Sequence, residues 1–185
     1  MIFLQLHSGL IKGKRKAQQQ LFEQYGKAMY AVCRRYLKAP EEAEEAMMNG
    51  FLQVFTHIER ASIPSEGALI AWMRRIMVNE CLQKIRKAHS FLIMVEEPAA
   101  ILEKQPIEPE FKLGAKELFL LIEQLPAGYR TIFNLYVVEG YTHKEIGELC
   151  SISEGASKSQ LSKARKKLAY LITQQNDYYG MGKAR

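Results

Sequence analysis

The chain has 185 residues, enough for one domain of ordinary size or for two small ones. Apolar residues make up 48% and charged residues 25% of the sequence, a composition that excludes an intrinsically disordered protein. The 26 Lys and Arg exceed the 20 Asp and Glu, giving a net charge of +6. This balance suits a polyanionic partner, although many proteins that bind no polyanion are equally basic.

The N-terminal segment and the cysteines indicate where the protein works. Residues 1–11 contain no Lys, Arg, Asp or Glu but are too few to span a membrane. The basic run Lys12 to Lys16 follows them, whereas a secretory signal begins with its cations. Cys33, Cys81 and Cys150 are scattered and fit neither a disulfide framework nor a zinc site. We expect a soluble, cytoplasmic protein with buried free thiols and with no metal or other cofactor.

Apolar residues recur at helical spacing along the first half of the chain. The first stripe extends from Leu21 to Leu37, and Pro40 is expected to end its helix. The second, Met47 to Ile58, follows a run of glutamates that favours a helix start. The third, Leu69 to Ile85, includes Trp72, and its place in the stripe favours a core position over a base-stacking role. These periods, with no apolar–polar alternation, predict an all-α protein.

The composition changes after Lys87. The stretch from Glu96 to Glu110 contains five Glu against one Lys, together with Pro98, Pro106 and Pro109, which is typical of a linker. Helices resume beyond it, and one of them is expected to bury Tyr136 and Val137 and to end at Gly140. The sequence thus predicts two small helical domains joined by an acidic flexible linker. Their boundaries are 1–88 for the N-terminal domain, 89–112 for the linker, 113–174 for the C-terminal domain and 175–185 for a frayed tail.

The segment 141–172 carries most of the functional signal. Thr142 and Glu145 have the spacing of a capping box, which starts a short helix. Ser153 suits the N-cap of the next helix, which has leucines and alanine on one face and lysines and arginine on the others. A short helix, a tight turn and a basic helix together predict a helix-turn-helix, whose second helix enters the major groove of DNA.

The basic residues alone leave two interpretations open. The face of the last helix could bind DNA, or it could be the solvated surface of an ordinary three-helix bundle. A second basic cluster, Arg74 to Lys87, lies on the helix that carries Asn79, whose amide could recognise a base or simply be solvated. Two basic helices on either side of an acidic linker suit a protein that contacts DNA at two places.

Several segments resemble bacterial RNA polymerase sigma factors, specifically the small two-domain extracytoplasmic-function (ECF) type of the sigma-70 family. The sequence LPAGYRTIFNLYVVEGYTHKEIGEL at 125–149 resembles the start of their promoter-reading domain, and SEGASKSQLSKARK at 153–166 continues through the recognition helix. The N-terminal half is similar at LFEQY (21–25), FLQVF (51–55) and AWMRRIMVN (71–79). The resemblance extends over about residues 18–172.

The resemblance implies a protein that is not an enzyme. It would bind core RNA polymerase at the clamp helices of the largest subunit and direct promoter-specific, DNA-templated transcription initiation, with an anti-sigma factor as a possible further partner. The polymerase-binding surface would comprise Glu44, Glu45, Met48, Asn49 and Leu52. Met48 and Asn49 stand where the family usually has Gln and Glu. The acidic linker would thread toward the RNA-exit channel of the polymerase.

The resemblance also implies two DNA contacts. A flipped base of the minus-ten element would be captured near Asn79, with the displaced strand held by Arg74, Arg75, Lys84, Arg86 and Lys87. The recognition helix would read the minus-thirty-five element in the major groove. Its contacts would come from Ser157, Lys158, Ser159, Ser162, Lys163 and Arg165.

Two other binding functions compete with this interpretation. A stand-alone helix-turn-helix regulator would use the same C-terminal domain but would carry a ligand pocket or a dimer helix in place of the polymerase-binding surface. An interaction decoy would keep the fold and lose promoter opening, and Met48 and Asn49 are its only support. An enzyme is disfavoured, since the chain has no glycine-rich phosphate loop, no GxSxG and no His/Asp/Glu cluster at ligand spacing.

Overall fold

The computed structural model describes residues 2–88 and 114–182, and all regular elements within these ranges are helical. The chain divides into two compact units, residues 1–88 and 89–185. The all-α prediction is therefore confirmed. The linker predicted at 89–112 lies outside the described residues.

The first unit contains four α-helices. These are α1 (Ile2–Ile11), α2 (Arg15–Tyr36), α3 (Pro40–His57) and α4 (Glu66–Ala88), with a 3₁₀ turn at Ile58–Arg60. Helices α2, α3 and α4 pack on one another around a core of Leu21, Met29, Phe51, Leu69 and Met73, all of them at most 2% exposed. Removing this much apolar surface from water is the main term that holds the three helices together.

Pro40 does not end α2, as the sequence had suggested, but begins α3. Helix α2 ends at Tyr36, and the guanidinium of Arg34 donates to the carbonyls of Leu37 and Lys38 beyond its end. Proline fits the first position of a helix, where its missing N–H would have had no partner. Glu41 and Glu42 follow in the first turn of α3, as predicted, where their negative charge interacts favourably with the helix dipole.

Helix α1 is an element that the periodicity of the sequence did not predict. Its Leu6 and Leu10 are buried, and its Gly9 lets the backbone approach α2 so closely that a Cβ there would come within 2.8 Å of the Cβ of Ala17. Leu4, however, is 68% exposed. Apolar residues on both faces of so short a helix conceal its period. Within the described ranges, no helix is long and apolar enough to cross a membrane.

The three cysteines are buried free thiols, as predicted. A hydrogen bond with Cys33 on α2, together with burial, raises the pKa of the Cys81 thiol on α4 well above its usual value. This thiol therefore stays protonated in the folded protein. Among the residues that the structure describes, no three His, Cys, Asp or Glu side chains are grouped so as to hold a metal ion.

The second unit is formed by α5 (Ala115–Glu123), α6 (Ala127–Phe133), α7 (His143–Cys150) and α8 (Glu154–Gly182). A π turn, Asn134–Val138, continues α6. Helix α8 packs on α5, α6 and α7 over a core that includes Leu125, Ile132, Leu135, Ile146 and Leu161. Helix α8 continues as far as Gly182, into the segment from residue 175 that was expected to be a tail.

Candidate nucleic-acid interface

The predicted helix-turn-helix is present, and hydrogen bonds fix the start of both its helices. At the start of α7 the Glu145 amide donates to the Thr142 hydroxyl at 3.2 Å, and the Thr142 N–H and O–H each donate to Glu145 Oε2 at 2.8 Å. At the start of α8 the Ala156 N–H donates to Ser153 Oγ at 3.0 Å. Both predicted caps are therefore confirmed, and they set where each helix begins.

The turn between these helices is held by close backbone contacts. Ser151 ends α7 in the left-handed conformation, with φ 56° and ψ 44°. The Ile152 N–H then donates to the carbonyl of Gly147 at 3.0 Å. A Cβ on Gly147 would come within 2.8 Å of the Ile152 carbonyl oxygen, so this position has room only for glycine.

The solvent face of α8 is polar and basic, while its opposite face is in the core. Leu161, Ala164 and Leu168 are buried. The exposed side chains are Lys158, Ser159, Ser162, Lys163, Arg165 and Lys166. At 100° per residue these side chains lie on one side of the helix, as contact with a DNA groove requires.

One acidic side chain lies at the start of this face. Glu154 Oε1 is 2.6 Å from the ammonium of Lys158, one helical turn away. The hydrogen bond and charge of Lys158 lower the pKa of the Glu154 carboxyl, so this group is ionised at neutral pH. Both side chains are exposed, and such a pair opens at little cost when a phosphate competes for the lysine.

Ser157 is not on the exposed face of α8, where a contact with DNA was predicted for it. Its side chain is fully buried, and its Oγ lies 2.9 Å from Nδ1 of His143 at the start of α7. The contact predicted for it came from the resemblance, which grouped it with Ser159 and Ser162 of the same helix. Its role in the structure is to join the two helices of the motif.

The sequence did not indicate the aromatic contact beside this motif. Tyr136 and Val137 were expected to face inward, but they are 36% and 48% exposed. The Tyr136 ring stacks on His143, with centroids 4.4 Å apart and planes at 22°, and the guanidinium carbon of Arg165 lies 5.8 Å from the Tyr136 centroid. The π turn rotates the end of α6 relative to a regular helix, which no periodicity analysis anticipates.

The candidate polymerase surface on α3 combines exposed apolar and acidic side chains. Met48 and Leu52 are 47% and 61% exposed, although their spacing had placed them in an apolar stripe. Glu44 and Glu45 are exposed beside them, and Asn49 is half-buried. The buried side of the same helix is formed instead by smaller or neighbouring apolar residues. These are Ala43, Ala46, Met47, Gly50, Phe51 and Val54.

An open groove of about 540 Å³ lies between α3 and α4. Asn49, Leu52 and Gln53 line it from α3, and Trp72 and Asn79 are among the residues that line it from α4. Trp72 is half-buried, so the interpretation of this residue as core was wrong. The core positions of α4 are Leu69, Met73, Met77, Val78, Cys81, Leu82 and Ile85.

The basic cluster on α4 does not act as one uniform surface. Arg75, Arg86 and Lys87 are exposed, and Arg74 is half-buried. Arg75 and Arg86 lie four residues before and seven after Asn79, so they share its face of the helix. Lys84 projects elsewhere, and its ammonium lies 2.6 Å from Glu45 Oε2 on α3. This ion pair joins a residue predicted to bind DNA to one predicted to bind polymerase.

Comparison with protein families gives two matches in chain order. Residues 21–91 match sigma-70 region 2, and residues 115–168 match sigma-70 region 4. The first match spans α2 to α4, and the second spans α5 to the middle of α8.

Individual relatives agree with the family matches. The chain is 24% identical over 162 residues to the ECF RNA polymerase sigma factor SigM of Mycobacterium tuberculosis, covering 88% of this chain and 80% of that protein. It is 26% identical over 169 residues to the ECF RNA polymerase sigma factor SigW of Bacillus subtilis, covering 85% and 89%. In fold it is similar to the sigma factor RpoE of Bartonella quintana, solved with the anti-sigma factor NepR. That alignment has a TM-score of 0.51 and 19% identity and covers 84% of this chain and 96% of that one.

Proposed function

This chain belongs to the sigma-70 family as an RNA polymerase sigma factor of the ECF type, and on that premise we propose which of its surfaces carries each step of initiation. It binds core RNA polymerase and directs transcription initiation at promoters. A stand-alone regulator is not favoured, because the first unit matches sigma-70 region 2. We propose that the protein works by binding alone, without catalysis, in the cytoplasm beside the polymerase.

In this proposal, α8 reads the minus-thirty-five element. The observation that carries this proposal is the exposed face of Lys158, Ser159, Ser162, Lys163 and Arg165 on a helix whose start is fixed by the caps of the motif. Serine hydroxyls can donate to or accept from base edges, and the cations contact phosphates on either side. Lys166 extends the same face and joins the proposed set. Ser157 is left out, because it is buried.

In this proposal, the groove between α3 and α4 captures a base of the minus-ten element. Its wall offers the Asn79 amide beside the half-buried ring of Trp72, one group that can pair with a base edge and one that can stack on a base. Arg75 and Arg86 lie on the same helix face as Asn79 and would hold the displaced strand. Favourable contacts with a flipped base offset the few kcal/mol that unstacking costs.

Docking on the polymerase clamp helices falls to the exposed side of α3. Met48 and Leu52 supply apolar area that is in water in the free protein, and Glu44 and Glu45 supply acidic charge at its edge. Exposed apolar side chains rimmed by charge are typical of a protein interface. Because the Bartonella relative was solved with an anti-sigma factor, we propose that such a partner would compete for this same surface.

A pull-down of core RNA polymerase followed by transcription of genomic fragments tests the proposal. The wild-type protein should retain polymerase and produce discrete start sites. Leu52→Ser should reduce retention without loss of folding, since this side chain is exposed. Leu4→Ser, an equally exposed leucine on α1, is the matched control and should retain polymerase fully. Equal loss in both variants, or none in either, would contradict docking through α3.

A further inference from the structure

We propose that Tyr136 is a positioning residue for DNA binding, which holds the Arg165 side chain against the recognition face of α8. The inference rests on the proposed function, since it requires that α8 contacts DNA. It concerns a residue that precedes the helix-turn-helix in sequence and lies in the π turn.

The first step is the contact between Tyr136 and Arg165. The guanidinium carbon lies 5.8 Å from the ring centroid, within the range in which the negative face of an aromatic ring attracts a cation. An exposed arginine otherwise samples many rotamers, and fixing it costs conformational entropy on binding. A ring that already holds the guanidinium reduces that cost when a phosphate arrives.

The second step is that Tyr136 is itself held in place. Its other neighbour is the His143 ring, stacked at 4.4 Å with planes 22° apart. His143 is tied through Nδ1 to the hydroxyl of Ser157 at 2.9 Å, and Ser157 is fully buried in α8. A chain of contacts therefore joins the core of the motif to an exposed cation. This gives the buried Ser157 a part in DNA binding without any contact with DNA.

The third step is the place of Arg165 on the helix. It is one of three cations in a row, with Lys166 and Lys167 after it. The ring that contacts Arg165 belongs to the π turn and not to α8, whereas the Tyr170 ring that lies 5.8 Å from the Lys167 ammonium belongs to α8 itself. The structure thus assigns Arg165 a fixed phosphate contact at the edge of the groove.

The experiment measures binding of the holoenzyme to a duplex promoter fragment that the wild-type holoenzyme selects from a random-sequence library, over a range of salt. Arg165→Ala should weaken binding and reduce the salt slope by about one. Tyr136→Leu should weaken binding about two- to fivefold, and Tyr136→Phe, which keeps the ring, by less than about twofold. In the Arg165→Ala background, Tyr136→Leu should cause no further loss.

Two results from the Tyr136 variants would each overturn the inference. One is multiplicative losses in the double variant, and the other is an equal loss for Tyr136→Phe and Tyr136→Leu. The Lys158→Ala/Lys163→Ala variant distinguishes a failure of this inference from a failure of the proposal that α8 binds DNA. If this double variant loses DNA binding while Arg165→Ala does not, the inference about Tyr136 is wrong, but the proposed DNA-binding face of α8 is supported. If it binds unchanged, the proposed face is wrong and the inference falls with it.

A measurement without DNA checks the contact itself. The δ-protons of Arg165 should show a ring-current shift in the NMR spectrum of the wild type and of Tyr136→Phe, and that shift should disappear in Tyr136→Leu. A shift that is the same in all three proteins would overturn the inference, whether or not the variants fold equally well.

Discussion

Ser151 adopts a backbone conformation that its side chain disfavours. Its φ of 56° is in the left-handed region, where a residue with a Cβ costs about 1 kcal/mol relative to glycine. The turn keeps this conformation because Gly147 and Ile152 are joined across it by a backbone hydrogen bond of 3.0 Å. The turn therefore stores a small strain within the second unit.

Replacing Ser151 by glycine should relieve that strain. We expect Ser151→Gly to stabilise the second unit by about 0.5–1 kcal/mol, less than the full strain because glycine also gains entropy in the unfolded chain. Urea unfolding followed by far-UV circular dichroism measures the change. Trp72, the single tryptophan, lies in the first unit, so its fluorescence should report no shift.

The matched control for this prediction is the same change at a helical position. Ser162→Gly, in the exposed part of α8, should destabilise the second unit by about 0.5 kcal/mol, because glycine is a poorer helix former. A stabilisation of equal size in both variants, or a destabilisation by Ser151→Gly, would contradict the assignment of strain to Ser151.

Because of Tyr25, we expect the stability of the first unit to vary with pH in the alkaline range. Its hydroxyl donates to Glu66 Oε1 at 2.5 Å, which joins α2 to the start of α4. Burial, together with the hydrogen bond and the charge of Glu66, raises the pKa of Tyr25 to about 12. Since the value in the unfolded chain is near 10, the folded state holds the proton more tightly.

The sign of the pH dependence follows from linkage. The stabilisation by Tyr25 is complete below about pH 10 and is lost as pH rises toward 12, because the unfolded chain releases its proton first. Urea midpoints from Trp72 fluorescence should fall more steeply over this range in the wild type than in Tyr25→Phe. Subtracting one midpoint curve from the other removes the effect of lysine titration, which is common to both proteins. Parallel midpoint curves would show that the pKa of Tyr25 is not raised in the folded protein.

At the scale of the elements, the sequence predicted the helices that have a single buried stripe. Helix α2 and the capped helices α7 and α8 follow from periodicity and capping signals alone. Helix α1 was missed because both of its faces are apolar. Trp72 was misplaced because periodicity reports which side of a helix is apolar, and the open groove between α3 and α4 is a property of their packing.

Among the site residues, too, some positions could be predicted from the sequence and others depend on how the helices pack. The exposed cations of α8 could be predicted, since charge on one side of an amphipathic helix reaches solvent whatever the tertiary structure. The burial of Ser157 and the stack of Tyr136 on His143 could not, because they arise where α6, α7 and α8 meet. The same holds for the pairing of Lys84 with Glu45 across two helices.

The Glu45–Lys84 pair joins α3 to α4 in the first unit and thereby links two proposed surfaces. The Glu45 carboxylate, 2.6 Å from the ammonium of Lys84, competes with a phosphate for this lysine. We expect Glu45→Gln to release it and to strengthen binding of the free protein to single-stranded oligo(dT) about two- to fivefold at low salt, an effect that salt screens. Fluorescence anisotropy measures the affinity.

Removing any carboxylate also raises the net charge, so the control is Glu44→Gln on the same helix. This variant makes the same change in charge without the pairing, and it should improve binding by less than the Glu45 variant. An equal gain in both variants would mean that the ion pair has no part in DNA binding.

At the scale of the whole molecule, the proposed function gives the two units different steps of one process. In this proposal the face of α8 binds closed duplex, whereas the groove beside Asn79 acts only on a base that has left the stack. Variants in the two units should therefore fail at different stages of initiation. A protein that merely bound DNA with both units would lose affinity in the same way whichever unit was changed.

Two variants in one assay test this division of labour. Lys158→Ala/Lys163→Ala in the holoenzyme should weaken promoter binding and reduce its salt slope by about two, because two phosphate contacts are lost. Asn79→Ala should leave closed-complex affinity and the salt slope unchanged and should reduce strand opening, measured by permanganate reactivity of unpaired thymines. Arg75→Gln, on the same face as Asn79, should reduce opening with some loss of affinity. If Asn79→Ala lowers closed-complex affinity as much as opening, Asn79 has a structural role, and the capture of a base by this groove is disproved.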